Sequence, residues 1–494
     1  MDLLGSPTLL LVLCLSCLFF VAMRRKRAKH KNLPPGPTPL PLIGNLLHLN
    51  TKNIMEPLKK MCEKYGPVFT VYFGPERVVV LHSYETVKKV LVEHGDEFMN
   101  RGTLPIIDKN NKGLGMLMSN GERWVQLRRF SLTTLRDFGM GKKSIEERIQ
   151  EEVKHLVKEL WAKKGQPFNP AFLFSSATCN VISHILLGER FDYQDEQLLQ
   201  ILHWITESIR IENSTAGQLY NLFPRIMDYL PGPHQTCFKN LIRIHAFVGQ
   251  KVKDHEETLD ANDPRDYIDC FLLKMVQEKH NPKTEFTREN LIMTVYDIFF
   301  AGTETTSTTL RYFFMVLTEH PAVEAKIHEE IDRVIGRERP PVMKDRPQMP
   351  YTEAVLHEAQ RFLDLAPLGL IRMPRQDVEI EGFTIPQGTT IFPMLTSALH
   401  DPKQFKNPHL FDPKHFLDEK GNFKKNGADI PFSAGKRNCL GEGLARMELF
   451  LYLTSILQNF RLKRPPGVTK IDLTPDVSGI MNVPRQVQIC FCPR

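Results

Sequence analysis

Hydrophobic residues recur along this chain at two periods. In Val68-Phe69-Thr70-Val71-Tyr72-Phe73, then Gly74-Pro75, then Val78-Val79-Val80-Leu81, β-branched and aromatic residues flank a turn dipeptide. That pattern predicts a β-hairpin. From about residue 83 to 360 the apolar spacing becomes mostly helical, with clear examples over Ile145 to Leu160, Leu198 to Ile211 and Leu291 to Leu317. Short β segments return near Val378-Glu379-Ile380, Thr389-Thr390-Ile391 and Val487-Gln488-Ile489. The stretch Lys251 to Asp266 is polar and reads as a surface loop. No internal repeat or low-complexity tract interrupts this order. The fold class is mainly α with small β-sheets.

The start of the chain follows a different rule. Residues Leu3 to Met23 are nearly all apolar, and at ~1.5 Å per residue they would span roughly 31 Å as a helix, one hydrocarbon core. Asp2 precedes them, and Arg24, Arg25, Lys26, Arg27, Lys29 and Lys31 follow. The positive-inside rule then places the N-terminus in the lumen and the body in the cytosol, at the endoplasmic reticulum membrane. A cleaved signal peptide is the alternative, but Ala22-Met23-Arg24 is a poor cut site. Leu33-Pro34-Pro35-Gly36-Pro37-Thr38-Pro39-Leu40-Pro41 reads as a stiff, extended spacer. The expected division is a transmembrane anchor over 1–23, a basic cluster and proline-rich linker over 24–41, and one large domain over 42–494.

Composition narrows the function. Most of the net charge of +7 sits in the basic cluster after the leader, so a nucleic-acid-binding surface is not expected. The nine cysteines are odd in number and lack zinc-type spacing. A reducing compartment suits them better than a disulfide scaffold. Cys14 and Cys17 fall in the apolar leader. No G-x-G-x-x-G follows a strand, so the chain shows no dinucleotide fingerprint of its own. Asn213-Ser214-Thr215 matches a glycosylation sequon, expected unmodified on a cytosolic body.

The strongest chemical signal is Phe432-Ser433-Ala434-Gly435-Lys436-Arg437-Asn438-Cys439-Leu440-Gly441, followed by apolar helix-forming sequence. A lone cysteine in a loop is usually a small buried hydrophobe. Here Gly435 permits a sharp turn, and Gly441 lets a flat ligand approach the backbone. Turn N–H groups can hold a sulfur as an anion, and Arg437 can pair with a heme propionate. The run reads as a thiolate ligand, Cys439, for a heme iron, where thiolate donation favours O–O cleavage.

These residues resemble the heme-binding signature of the cytochrome P-450 superfamily, the heme-thiolate monooxygenases. Asp137-Phe138-Gly139-Met140-Gly141-Lys142 and Phe300-Ala301-Gly302-Thr303-Glu304-Thr305-Thr306 bring the resemblance closest to vertebrate microsomal family 2 enzymes. The resemblance covers nearly the whole chain. It implies the cytochrome P-450 fold with an N-terminal transmembrane helix, a heme b cofactor, and oxygen insertion into small lipophilic substrates such as xenobiotics, fatty acids or steroids. Electrons would come from NADPH through a flavoprotein reductase, with cytochrome b5 as a possible helper.

The resemblance also assigns roles, each beside a plainer reading. Glu304 and Thr305 would be the acid–alcohol pair of oxygen activation. Gly and Thr inside a helix are locally unfavourable, so Ala301-Gly302 marks either a groove over the heme or a packing notch. Glu358 and Arg361, at i, i+3, would form a buried scaffold link with His415, where many relatives carry Arg. A surface ion pair is the ordinary reading. Trp124, Arg128, Arg101, Arg372 and Arg437 would surround the propionates, with Arg372 standing where close relatives often have His. Phe432, Ala301 and Gly441 would border the heme itself. Arg129, Arg136 and Lys436 would form the face that meets the electron donor. Leu104, Leu117, Met118, Phe299, Ala301, Leu365, Ala366, Leu370, Ile480 and Met481 align with pocket-lining positions, though each alone reads as core. Their apolar character suits a lipophilic substrate. Two other classes stay open: a heme-thiolate isomerase or dehydratase, against which the intact Glu304-Thr305 pair argues, and a non-catalytic heme sensor.

Overall fold

The computed structural model describes residues 32–49, 54–138 and 145–494. The expected membrane anchor, the basic cluster, Cys14, Cys17 and most of the Asp137–Lys142 motif lie outside the described residues. Among the described residues no helix is long and apolar enough to cross a membrane.

The hairpin forms as its sequence predicts. Strands β1 (Val68–Phe73) and β2 (Glu76–Leu81) pair antiparallel, with Val71 opposite Val78. Further along, β3 (Val378–Ile380) and β4 (Phe383–Ile385) make a second hairpin, and β5 (Thr390–Pro393) returns parallel to β2. Near the C-terminus, β6 (Phe460–Lys463), β7 (Pro475–Ser478), β8 (Asn482–Pro484) and β9 (Cys490–Pro493) form two ribbons, β6–β9 and β7–β8. The last strand therefore begins at Cys490 rather than Val487. Ile489 instead bridges to Phe168.

The proline-rich stretch is extended, as expected, but it is not a free linker. Thr70 of β1 donates its backbone N–H to Pro35 O at 2.8 Å and its hydroxyl to Pro34 O at 2.9 Å. A Cβ on Gly36 would lie 1.9 Å from Thr70 O, so only glycine fits against the strand. A boundary at residue 41 cuts through a segment already docked on the body.

Helices fill the rest. The first four are α1 (Met55–Tyr65), α2 (Tyr84–Lys88), α3 (Pro105–Asn111) and α4 (Gly121–Phe138). Next come α5 (Ile145–Ala162), α6 (Ala171–Leu186), α7 (Glu196–Asn213), α8 (Thr215–Leu222), α9 (Pro224–Met227) and α10 (Pro233–Thr258). The last are α11 (Tyr267–Gln277), α12 (Arg288–Glu319), α13 (Pro321–Val334), α14 (Pro350–Leu363), α15 (Leu395–Leu399) and α16 (Glu442–Asn459). Their starts are chemical. Asp195 accepts the N–H groups of Gln197 and Leu198 at α7, and Thr287 accepts that of Asn290 at α12. Prolines open α10, α13 and α14, where the missing N–H costs nothing.

The surface loop expected over Lys251 to Asp266 is corrected in its first half, whereas the residues between Thr258 and Asp266 are irregular and largely exposed, as expected. Helix α10 runs through that first half to Thr258. Leu241, Ile244, Val248 and Val252 are all buried at helical spacing. From Lys251 to Thr258 the only apolar residue is the buried Val252, with His255 buried one turn on, too thin a stripe to stand out in the sequence.

Helix α12 is the axis of the molecule, buried over most of its length. Phe174 of α6 stacks on Phe314 at 5.3 Å, and Phe491 of β9 packs edge-on against Phe314 at 5.5 Å. A Cβ on Gly302 would lie 3.0 Å from Ile182 of α6. Gly302 thus serves the close approach of two helices, the packing-notch reading.

Candidate active site around Cys439

The loop before α16 is built as a socket for one sulfur. Gly435 has φ +72°, and a Cβ there would sit 1.7 Å from Leu91 O, so no other residue fits this turn. Cys439 N–H donates to Phe432 O at 2.9 Å, closing the loop on itself. Gly441 makes no comparable demand: a Cβ there would meet Cys439 Sγ at 3.9 Å, an ordinary contact. Cys439 stays accessible although dense protein surrounds it. Burial raises its thiol pKa, while the N–H groups of Gly441 and Glu442 and the Arg128 charge pull it down. Those N–H groups open α16, so the helix aims its positive end at the sulfur. Phe432, also in this loop, lies under the Arg446 guanidinium at 4.9 Å.

The predicted arginine shell assembles around this loop. Arg437 donates to Met99 O at 2.9 Å, Ser119 O at 2.5 Å and Asn120 Oδ1 at 3.2 Å. Arg128 donates to Asn438 O at 2.9 Å and to its side-chain oxygen at 2.8 Å. Arg372 reaches Leu370 O at 3.1 Å, with longer contacts to Ser433 and Arg437 O. Arg101 reaches the carbonyls of Leu117, Leu370 and Ile371. The Trp124 ring lies 4.0 Å from the Arg437 guanidinium and 5.8 Å from that of Arg128.

All these acceptors are neutral. Burial and the neighbouring charges of Arg372 and Arg128 push the Arg437 guanidinium down to about 9, and burial pushes Arg372 to about 10. Arginines crowded together without a carboxylate are poised for an anion. Arg437 Nη1 is buried with no hydrogen-bond partner, a donor left over after the protein's own acceptors are used. A flat group bearing carboxylates, with a metal reaching Cys439, fits this donor set.

Helix α12 runs past with Ala301 and Thr305 keeping accessible surface. The Thr305 hydroxyl donates to Ala301 O at 2.7 Å. Glu304 turns the other way. Its carboxylate accepts from Thr206 of α7 at 3.0 Å, and burial raises its pKa. The structure therefore does not bring the two side chains of the predicted pair into contact.

The predicted scaffold link is fully internal. Glu358 and Arg361 of α14 pair through two bonds, 2.7 and 2.8 Å. Arg361 also donates to Leu399 O, Pro408 O and Leu410 O. His415 meets Glu358 at 3.0 Å. Burial lowers the His415 pKa, but the Glu358 hydrogen bond and charge outweigh that and raise it.

Of the pocket positions, Leu104, Leu117, Ala301, Leu365, Ala366, Leu370, Ile480 and Met481 keep accessible surface, whereas Met118 and Phe299 are closed into the core. Arg101 ties Leu117 to Leu370, and Asn482 N–H donates to Leu365 O at 2.9 Å, drawing the β7–β8 turn beside them. Arg129, Arg136 and Lys436 are exposed, and Lys436 is paired with Asp96. The sequon asparagine is buried, with its side-chain amide bonded to Ile209 O at 2.9 Å.

Sequence reasoning missed Asn120 and Asn438, whose side chains fix Arg437 and Arg128. It also missed Glu212, an acid on the apolar stripe of α7 after Leu198, Ile201, Ile205 and Ile209. That spacing was the available signal.

The comparisons with known proteins agree with this geometry. The cytochrome P450 family profile matches residues 34–491. Cytochrome P450 2C20 of Macaca fascicularis is 53% identical over 99% of this chain and 100% of its own length. Cytochrome P450 2C8 of Homo sapiens is 52% identical with the same coverage. Cytochrome P450 2H2 of Gallus gallus is 51% identical over the full length of both chains. With a socketed thiol, an anion-seeking arginine shell and this likeness from end to end, the chain belongs to the cytochrome P450 family, the heme-thiolate monooxygenases.

Proposed function

We propose that this enzyme is anchored in the endoplasmic reticulum membrane with its body in the cytosol, and oxidises small lipophilic molecules with electrons drawn from NADPH. A flavoprotein reductase would deliver the electrons, and cytochrome b5 is a second candidate donor. One oxygen atom enters the substrate and the other leaves as water. The observation that carries the reading is Cys439, accessible at the N-terminus of α16 and beside guanidiniums that lack a carboxylate.

Cys439, Arg101, Trp124, Arg128, Arg372 and Arg437 would hold the heme, which would supply an electron-rich iron able to activate dioxygen. The chain's own residues do the rest. Thr305 presents a hydroxyl whose present acceptor, Ala301 O, is a carbonyl it can leave for a better one. Glu304 holds its proton longer than an exposed carboxyl does, because burial raises its pKa. It borders a cleft that also includes Arg210 and Arg311, and Arg210 is exposed to solvent. The apolar lining from Leu104 to Met481 excludes water and favours lipophilic substrates. Arg129 and Arg136, both exposed on α4 and seven residues apart, share one face that suits an acidic donor. Leu40, Leu42 and Leu47, exposed beside the docked proline stretch, suit contact with lipid.

The test is NADPH-dependent oxygen uptake by the heme-loaded protein with added reductase, with and without lipophilic substrate. Substrate-stimulated uptake with oxygenated product is expected. Rearrangement of a peroxide without NADPH, or heme binding with no turnover of any kind, would overturn the reading.

A further inference from the structure

Helices α14 and α16 share a buried polar network that the chemistry above does not use. At its centre is His357 of α14, 4% exposed. Its Nδ1 is hydrogen-bonded to Asp429, and the rings of Phe416 and Phe423 pack against it. A carboxylate only accepts, so Nδ1 carries a proton whether the imidazole is charged or neutral. The second nitrogen is contested. His357 Nε2 lies 3.1 Å from Glu353 Oε1, one turn earlier on α14, and 3.1 Å from Arg446 Nη1 of α16. The two neighbours make opposite demands. Glu353 accepts, so it needs a proton on Nε2. Arg446 donates, so it needs a lone pair there. One ring nitrogen has one in-plane site and cannot meet both.

Arg446 touches both ends of the sulfur loop. Its Nε donates to Glu442 Oε1 at 3.0 Å, and its guanidinium lies 4.9 Å from the Phe432 ring. Phe432 O accepts the Cys439 N–H, and the Glu442 N–H faces the sulfur. The Glu442 charge pushes the Cys439 thiol up, so the guanidinium bound to Glu442 offsets that push. The remaining groups around His357 hold the network in place. Arg346, from the turn Met343–Gln348, grips Glu353 with two bonds, 2.7 and 2.6 Å. Gln360 Oε1 accepts from Arg446 Nη1 at 3.3 Å. Asp429 Oδ1 is buried without a hydrogen bond, so His357 is the side chain that compensates this carboxyl. Burial lowers the His357 pKa, but the bonds to Asp429 and Glu353 outweigh it and raise the value. Burial also raises Glu353, and its bonds with His357 and Arg346 bring it down to about 2. Glu353 therefore stays a carboxylate while His357 titrates.

We propose that His357 is a positioning residue for the thiolate: the proton on its Nε2 sets whether Arg446 is shared with the imidazole or left to Glu442 and Phe432, and so tunes the charge beside Cys439. The proposal rests on the reading of Cys439 as the iron ligand. With Nε2 protonated, its N–H turns to Glu353. Arg446 then has a cation beside it and no acceptor there, so its charge falls on Glu442 and the sulfur loop. With Nε2 bare, Arg446 Nη1 donates to it and is drawn back from the loop. Positive charge beside a thiolate reduces the electron density that the sulfur gives to iron, which favours the ferrous state over the ferric. Reduction is therefore easier below the pH at which His357 titrates and harder above it, because uptake of an electron and uptake of the His357 proton favour each other.

The experiment is a potentiometric titration of the heme-loaded protein with dithionite from pH 6 to pH 9, with no reductase present. In the wild type the ferric–ferrous equilibrium should move toward ferric by about threefold as pH rises through the raised His357 value, beyond any drift seen in His357→Gln. His357→Gln should lose that step and keep the red-shifted Soret band of the reduced carbon-monoxide complex. Arg446→Gln should lose it too, although His357 still titrates, because the connection to the sulfur loop is gone. Glu353→Gln removes the acceptor that favours the charged imidazole, so its step should move to lower pH. The same step in wild type and His357→Gln, or a step that survives Arg446→Gln, would overturn the proposal. If His357→Gln does not take up heme, Glu353→Gln carries the test, and a step that stays at the wild-type pH would overturn it. A wild-type protein without the thiolate Soret band would refute Cys439 as the ligand, whereas a thiolate band with no step would refute the role of His357 alone.

Discussion

Arg361→Ala should abolish assembly of the heme-loaded enzyme, and the size of the loss follows from the bonds around one side chain. A guanidinium has five N–H donors, and Arg361 uses them on both Glu358 oxygens and on the carbonyls of Leu399, Pro408 and Leu410. Truncation leaves Glu358 buried with its main counter-charge gone, which costs about 3–5 kcal/mol. Three carbonyls lose their donor at about 1 kcal/mol each. A total of about 6–8 kcal/mol is comparable with the whole stability of a typical domain, about 5–15 kcal/mol. His415 provides a pH signature. Its pKa is raised in the fold, so its protonated pairing with Glu358 is fully present below its ordinary value of 6.5 and fades as pH rises through the raised value. In the variant, His415 is the remaining cation at Glu358, so heme retention should be better at pH 6 than at pH 8. Heme content per polypeptide and the thermal midpoint are the measurements. An Arg361→Ala protein with wild-type heme content and a midpoint within about 2 °C would refute the reasoning.

Three further outcomes are expected. Cys439→Ser should lose the red-shifted Soret band of the reduced carbon-monoxide complex together with monooxygenase activity, and a wild-type spectrum would remove Cys439 as the ligand. Thr305→Ala should keep heme and substrate binding but shift the partition between product and hydrogen peroxide by roughly tenfold to a hundredfold, the worth of one hydrogen bond to a charged group. An unchanged product-to-NADPH ratio would return Thr305 to helix packing. Glu212→Leu should stabilise the protein at alkaline pH: a carboxyl moved from 4.5 to about 7 costs about 3 kcal/mol above pH 7 and nothing below its unfolded value. Melting-point gains that are equal at pH 6 and pH 8 would contradict that origin.

The features legible in the sequence were those set by neighbours along the chain. The β1–β2 hairpin follows from β-branched residues around Gly74-Pro75, and the sharp turn before Cys439 follows from Gly435, which the contact with Leu91 O makes obligatory. The Glu358–Arg361 pair is also local, but its burial is not. Three of the five acceptors of Arg361 lie some forty to fifty residues further on. Gly302 shows the limit from the other side. Its sequence marked a special place on α12, and only the Ile182 contact shows that the place is a helix crossing. The polar tail of α10 was hidden because one buried residue per turn suffices to hold a helix against a core.

Arg361 and Arg437 show why a motif alone does not assign chemistry. Both are buried arginines held by backbone carbonyls. Arg361 also grips a carboxylate with two bonds, so its charge is cancelled inside the protein and the side chain serves as a rigid tie. Arg437 is bound to oxygens of Met99, Ser119 and Asn120 that carry no net charge, with Arg128 and Arg372 close enough to repel it. Its charge is left for something outside the polypeptide. Glu212 is the mirror case, an acid whose donor is a thiol and whose charged form burial disfavours. The fold holds these charges without internal partners at a cost to its own stability, a pattern expected where function rather than folding has selected the residue. Ligand preference in this enzyme is therefore read most directly from the charges that its own chain leaves uncompensated.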